Sequence, residues 1–293
     1  MAAFVDILLG GIFHASVLFL VAAGLQLVFG VQKIVNLACG SFYALGAYFG
    51  VSSVGWALHM GLPHALFLPV LLLSGMAMAV VGPPIEALLR TVYKRDESFQ
   101  LLLTFALVLM FQDTLRFIWG ANPQQLGNLS MTYGKIAVGA VSLPTYNVLV
   151  IVASILIALM LGAFLQRTRF GRILRATAEN RNMSEALGVN VRWIYAVVFT
   201  LGTMLGTLGG ALVVPTAAAS LDMAVELVVE AFAVVVIGGL GSMRGAIAGA
   251  LVVGLMRAAA IAIYAELEML SIYLVVILVL ILRPAGLFGK SSE

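Results

Sequence analysis

Charge is scarce in this chain. Only 10% of its 293 residues are Asp, Glu, Lys or Arg, while 62% are hydrophobic. Soluble domains carry about a quarter charged residues. With a mean hydropathy of +1.12, that shortage excludes a soluble fold and puts the chain in a bilayer. The single cysteine, Cys39, excludes an intrachain disulfide and leaves the redox compartment unread. His14, His59 and His64 are scattered without HExxH spacing, so no metal site is expected. Neither GxSxG nor GxxxxGK[ST] occurs, which excludes a nucleophile elbow and a phosphate-cradling loop of the chain's own. No soluble basic surface is available for nucleic acid. The N-terminus carries Asp6 instead of a basic lead, and no small-residue cleavage site follows, so a cleaved signal peptide is not expected. No chain of Asp, Glu or His crosses the apolar runs as a proton relay would.

What remains is apolar sequence cut to bilayer length. A crossing helix needs about 20 apolar residues, and segments 4–29, 36–54, 63–88, 99–119, 145–165, 193–214, 224–239, 246–265 and 269–282 approach or meet that. The expected fold is an all-α integral membrane protein of about nine (eight to ten) transmembrane helices in one domain, 1–293. Segments 36–54 and 224–239, short or glycine-rich, are expected to be broken or re-entrant. Gly46 with Gly50, and Gly241 with Gly245 and Gly249, repeat at the four-residue spacing that lets helix backbones touch. The two Gly-Ser stretches that hold them suit an inverted repeat.

Orientation follows from Lys and Arg. Six of the 16 fall between 166 and 193: Arg167, Arg169, Arg172, Arg175, Arg181 and Arg192. If that loop is cytoplasmic, simple alternation puts Lys33, Arg90, Lys94, Arg95, Arg244, Arg283 and Lys290 on the same side. Arg116 and Lys135 then fall outside and Arg257 inside a span, which gives N-terminus out and C-terminus in. The polar 120–144 connection, with Asn122, Gln124 and Asn128, would be a small outer cap. Asp113 with Arg116, and Glu86 with Arg90, stand three and four residues apart, spacings that place opposite charges on one helix face.

Within the basic loop, about 166–192, Ile173, Leu174, Ala176, Ala178, Met183, Ala186 and Leu187 suit one short amphipathic helix closed by Gly188. Such a helix is either an interfacial anchor or a docking surface. Deeper in the bilayer, Glu230 and Arg257 lie at matching depths on helices joined by the tight "GGLGSMRG" turn and are expected to form an intramembrane ion pair. Asn36, Gly40, Ser41 and Tyr43 are candidate pathway residues, because polar groups at mid-membrane face protein or water.

Five ordered blocks resemble the branched-chain amino acid ABC importer permeases of the LivH type. They are "AAGLQLVFGVQKIVNLACGSFYALGAYFG", "GPPIEALLRTVYKRDE", "GRILRATAENRNMSEALGVNVRWIYAVVFTLGTMLGTLGGAL", "AFAVVVIGGLGSMRGAIAGALVVG" and "LRPAGLFG". The resemblance implies a non-catalytic permease subunit in a bacterial inner membrane. It also implies a homologous second permease, two ATPase subunits that use ATP and Mg²⁺, and a periplasmic solute-binding protein. It makes the loop a coupling helix, with Arg172, Arg175, Glu179, Asn180, Glu185, Leu187 and Gly188 toward an ATPase. No cofactor is expected on this chain. The sequence departs from the family pattern at Cys39, where a histidine is usual, and at Arg244, where a proline is common. Glu230 and Arg257 invert a Lys and Glu of many members. Cargo is expected to be a small amino acid, branched-chain or related, with urea, amides or other small polar solutes as the alternative within the type. A stand-alone secondary transporter or channel is the alternative from another class, and a scaffold subunit without a solute path is a third.

Overall fold

The computed structural model describes residues 2–93, 95–127, 132–138, 141–283 and 285–289. Lys94, Asn128 and Lys290 lie outside the described residues. Each apolar run becomes a helical stretch: α1 (Ala2–Gln32), α2 (Cys39–His59), α3 (Phe67–Ala77) continuing into α4 (Gly82–Leu89), α5 (Glu97–Trp119), α6 (Thr145–Arg167), α9 (Val191–Val213), α10 (Met223–Gly238), α11 (Met243–Ile263) and α12 (Glu268–Leu282). Two short helices, α7 (Arg169–Glu179) and α8 (Arg181–Ala186), occupy the basic loop. The expectation of an all-α chain needs one correction. Part of the 120–144 connection is a β-hairpin, β1 (Lys135–Val138) antiparallel to β2 (Val141–Pro144). Local polarity marked a loop there but carried no strand period.

Among the described residues, six stretches are long and apolar enough to cross a membrane: Val5–Gln32, His64–Val92, Glu97–Trp119, Thr145–Arg167, Val191–Val213 and Met243–Ile263. At 21 residues α2 is long enough, but its Gly, Ser and Tyr content dilutes its hydropathy. It escapes lipid instead, packing against α9, α3, α5 and α10 with most of Cys39–Gly50 buried. Both segments suspected of being broken, within α2 and α10, are single uninterrupted helices. The break falls in the third stretch. There a 3-10 turn, Met78–Val81, precedes Gly82, Pro83 and Pro84, because proline lacks an N–H and clashes with the preceding turn.

Glycine sets how closely the central helices meet. A Cβ on Gly46 would run into the Thr207 carbonyl of α9, and one on Gly210 into the Tyr43 carbonyl of α2. Gly245 and Gly249 stand likewise against the Gly238 and Val234 carbonyls of α10. Gly241 does not join them. It has φ +81°, a Cβ there would meet nothing within 4 Å, and it serves the turn between α10 and α11. Gln26 of α1 clasps that turn, donating to the Gly239 carbonyl at 2.9 Å and accepting from the Gly241 N–H. Leu287 and Phe288 donate backbone N–H groups to Ile237 and Gly238 carbonyls, capping the end of α10.

Burial separates centre from rim. Of their apolar windows, 61% is buried in α9 and 56% in α1, but only 17% in α6. α1 and α9 therefore form the core, and α6 turns most of its surface outward. Thr207 Oγ1 of α9 donates to the Gly75 carbonyl of α3 at 2.7 Å, a polar tie between the two helices.

Candidate functional site

The face where α1 begins also carries the end of α9, the start of α10 and the end of α11. These four elements, with Tyr43 of α2, surround an open cavity of about 570 Å³. Asp6, His14, Tyr43, Glu226, Glu230 and Arg257 supply its ionisable lining. Glu230 and Arg257 come together as the turn between α10 and α11 dictates: Arg257 Nη1 lies 3.3 Å from Glu230 Oε1. Two further residues complete the cluster. His14 Nε2 of α1 lies 2.8 Å from Glu230 Oε2, and its Nδ1 lies 2.9 Å from Arg257 Nη1. Arg257 Nη1 also lies 2.7 Å from Nε2, so the guanidinium sits within reach of both ring nitrogens. Glu268, at the start of α12, takes the other edge of the Arg257 guanidinium. The cluster thus ties α1, α10, α11 and α12 at one depth, with Glu230 only 5% exposed.

Neither His14 nor Glu268 was legible as a member, because both come from helices that no local spacing relates to Glu230. Among the described residues, no group of three or more His, Cys, Asp or Glu is arranged to hold a metal ion.

The expected pathway residues divide. Tyr43 lines the cavity while itself 6% exposed, and no described residue hydrogen-bonds its hydroxyl. The other three lie elsewhere. Asn36 Oδ1 accepts from the Ala38 N–H at 3.0 Å in the bend before α2. Gly40 packs directly on the Ala224 carbonyl. Ser41 is buried with its Oγ unpaired among the described residues.

The opposite face carries the basic loop. The expected single amphipathic helix is two, because Asn180 leaves helical geometry (φ −145°, ψ 100°) and its side chain caps α8 by accepting from the Met183 N–H at 3.0 Å. The signal was the asparagine itself, a preferred N-cap that competes with helix interior. Thr168 caps α7 in the same way through the Gly171 N–H. Leu174, Thr177 and Ser184 face inward, while Arg172, Arg175, Glu179 and Glu185 face out. Arg175 Nη1 also donates to the Leu165 carbonyl at 2.7 Å, fastening α7 to the end of α6. Arg181 pairs with Glu185 at 3.1 Å and covers the Tyr195 ring. Gly188 closes α8 in the left-handed region, φ +84°. Met183 and Leu187 are left 59% and 78% exposed, an apolar pair framed by charge.

Of the two same-face charge pairs, Glu86 and Arg90 do meet, at 3.2 Å from Arg90 Nε to Glu86 Oε1. Tyr93 also donates to Glu86, 3.2 Å away. Asp113 and Arg116 form no ion pair with each other; both are exposed on α5. The buried Glu86 carboxylate is held by both Arg90 and Tyr93, whereas Asp113 and Arg116, both solvated, gain little from pairing.

Fold and site together define a multi-pass membrane protein with a charged cavity opening at one face and a cationic helical loop at the other. The profile of the family described as "Branched-chain amino acid transport system / permease component" matches residues 7–282, and the chain belongs to that family. It is 24% identical to the high-affinity branched-chain amino acid transport system permease protein BraD of Pseudomonas aeruginosa, over 97% of this chain and 95% of that protein. It is 26% identical to LivH of Escherichia coli K12, over 98% and 96% respectively. The probable branched-chain amino acid transport permease protein LivH of Methanocaldococcus jannaschii is 28% identical, over 80% of this chain and 74% of that one. Among solved structures, a chain of PsaBC from Streptococcus pneumoniae in complex with Fab aligns over 95% of this chain and 92% of its own, at 11% identity and a TM-score of 0.48.

Proposed function

We propose that this chain is a permease subunit of an ATP-driven importer for a small amino acid, branched-chain or related. The observation that carries this reading is the family match across residues 7–282. In this reading nine helical stretches cross the bilayer, N-terminus out and C-terminus in, with an inverted repeat relating the two glycine-rich halves. The cavity at the Asp6 face is the outer mouth, where a periplasmic binding protein releases cargo. The Tyr43 hydroxyl and the Glu230–Arg257 pair meet the solute there. The α7–α8 loop faces the cytoplasm and seats on an ATPase subunit through Met183 and Leu187, with Arg172 and Glu179 at its rim. ATP and Mg²⁺ act on two such ATPase subunits, and a homologous second permease completes the pathway. Their closure, passed through the loop, rocks the helices between outward- and inward-facing states.

A second reading concerns the cargo alone. Asp6, Glu226 and Glu230 outnumber Arg257 in the cavity lining, which favours a small polar solute bearing a cationic group or hydrogen-bond donors over a purely apolar one. The test is reconstitution in liposomes with and without the ATPase subunits. Uptake is expected only with the ATPases and ATP. Uptake by this chain alone, driven by a solute or ion gradient, overturns the importer assignment in favour of a secondary transporter or channel.

A further inference from the structure

α1 packs against both α6 and α11, but α6 and α11 do not pack closely on each other. The result is a groove floored by α1, made of two adjoining cavities of about 350 and 320 Å³ that share Phe19, Ala158 and Ile247. We propose that this groove seats one anionic phospholipid, headgroup toward the basic face and one acyl chain laid along α1.

Three observations select that occupant. First, the two ends differ chemically. The mouth at the basic face is lined by Gln166, Arg175 and Arg244, whereas the deeper part is lined by Ala15, Ile155, Leu159 and Leu251 and is almost wholly apolar. Second, no Asp or Glu lines either cavity, and among the described residues neither Arg175 nor Arg244 has an acidic partner. Two uncompensated guanidinium groups at a bilayer surface attract an anionic headgroup, each by an amount equivalent to roughly five-fold in affinity, and their planar forks suit phosphate oxygens. Third, the length fits. From Gly30 to Ile12 the groove follows 18 residues of α1, roughly 27 Å at 1.5 Å per residue. One leaflet of hydrocarbon is only about 15 Å deep, so a chain entering at the mouth keeps protein contact throughout. Small residues on the floor and wall, Ala15, Ala158 and Gly162, give the groove its depth. Arg175 is already steadied by the Leu165 carbonyl at 2.7 Å, so little of its freedom remains to be lost on binding.

The test is native mass spectrometry of the full-length chain, delipidated in detergent and titrated with phosphatidylglycerol or phosphatidylcholine of identical acyl chains. One phosphatidylglycerol is expected to be retained in preference to phosphatidylcholine. Arg244→Gln should weaken phosphatidylglycerol about five-fold and leave phosphatidylcholine unchanged, and glycerol phosphate should not compete. Ala158→Trp should remove both lipids by filling the groove; Ile247→Ser, at an exposed wall position that tolerates change, should weaken both if the larger residue prevents folding. Equal retention of the two lipids, an Arg244→Gln variant that behaves as wild type, or competition by glycerol phosphate would each overturn the proposal. So would a groove-filled variant that keeps phosphatidylglycerol but loses a co-purifying permease subunit, because the groove would then be a protein interface.

Discussion

Removing Arg257 isolates the energetics of the buried cluster. At 3.3 Å, Arg257 Nη1 and Glu230 Oε1 attract by about 5 kcal/mol at an effective dielectric of about 20. Much of that offsets the desolvation of Glu230, whose side chain is only 6% exposed. Arg257→Met leaves Glu230 enclosed with only His14 beside it, so the expected cost is about 3–5 kcal/mol, as for other buried pairs that lose one partner. Glu268→Gln should cost far less, about 1 kcal/mol, because Glu268 is 29% exposed and water takes over its role. Glu230→Gln should fall between, since an amide still accepts from His14 while the excess positive charge on Arg257 keeps Glu268. Thermal denaturation in detergent, followed by fluorescence-detected size exclusion, reads the order directly. The geometry also alters what a charge swap can do. Glu230→Lys with Arg257→Glu restores one pair but sets the new carboxylate against Glu268, so recovery should be partial until Glu268→Lys is added. An Arg257→Met protein as stable as Glu268→Gln, or a double swap that recovers fully, refutes this account.

Close packing of α2 on α9 should make Gly210→Ala and Gly46→Leu costly, at least about 2 kcal/mol of strain; an unchanged yield of monodisperse protein would show that the helices stand further apart. Thr207→Val removes the bond to the Gly75 carbonyl while keeping shape, and should cost about 0.5–1.5 kcal/mol, measurable as a lowered apparent Tm. Leu187→Asp, at a residue 78% exposed, should leave folded yield intact and uncouple solute uptake from ATP hydrolysis in the reconstituted complex. If uptake per ATP hydrolysed stays at wild-type level in that variant, Leu187 is no part of an ATPase contact.

Some of this architecture is local, and a single chain displays it. Bilayer-length apolar runs, the glycine spacing at Gly245 and Gly249, and the clustering of arginine between α6 and α9 all follow from near-neighbour chemistry. So does the meeting of Glu230 and Arg257, because a four-residue turn between antiparallel helices fixes their relative depth. Other features depend on which helices become neighbours, and periodicity within one helix does not encode that. His14 reaches Glu230 across 216 residues of sequence. Asn36 turns back on the bend before α2 and Gly40 abuts the Ala224 carbonyl, whereas Tyr43 reaches the cavity, a sorting set by which helices pack around α2. Likewise α2 survives with a diluted apolar composition because other helices shield it from lipid. The apolar runs and the charges were written in the order of residues; the cavity, its four-helix ionic floor and the groove over α1 exist only because packing brought distant faces together and left α6 and α11 apart.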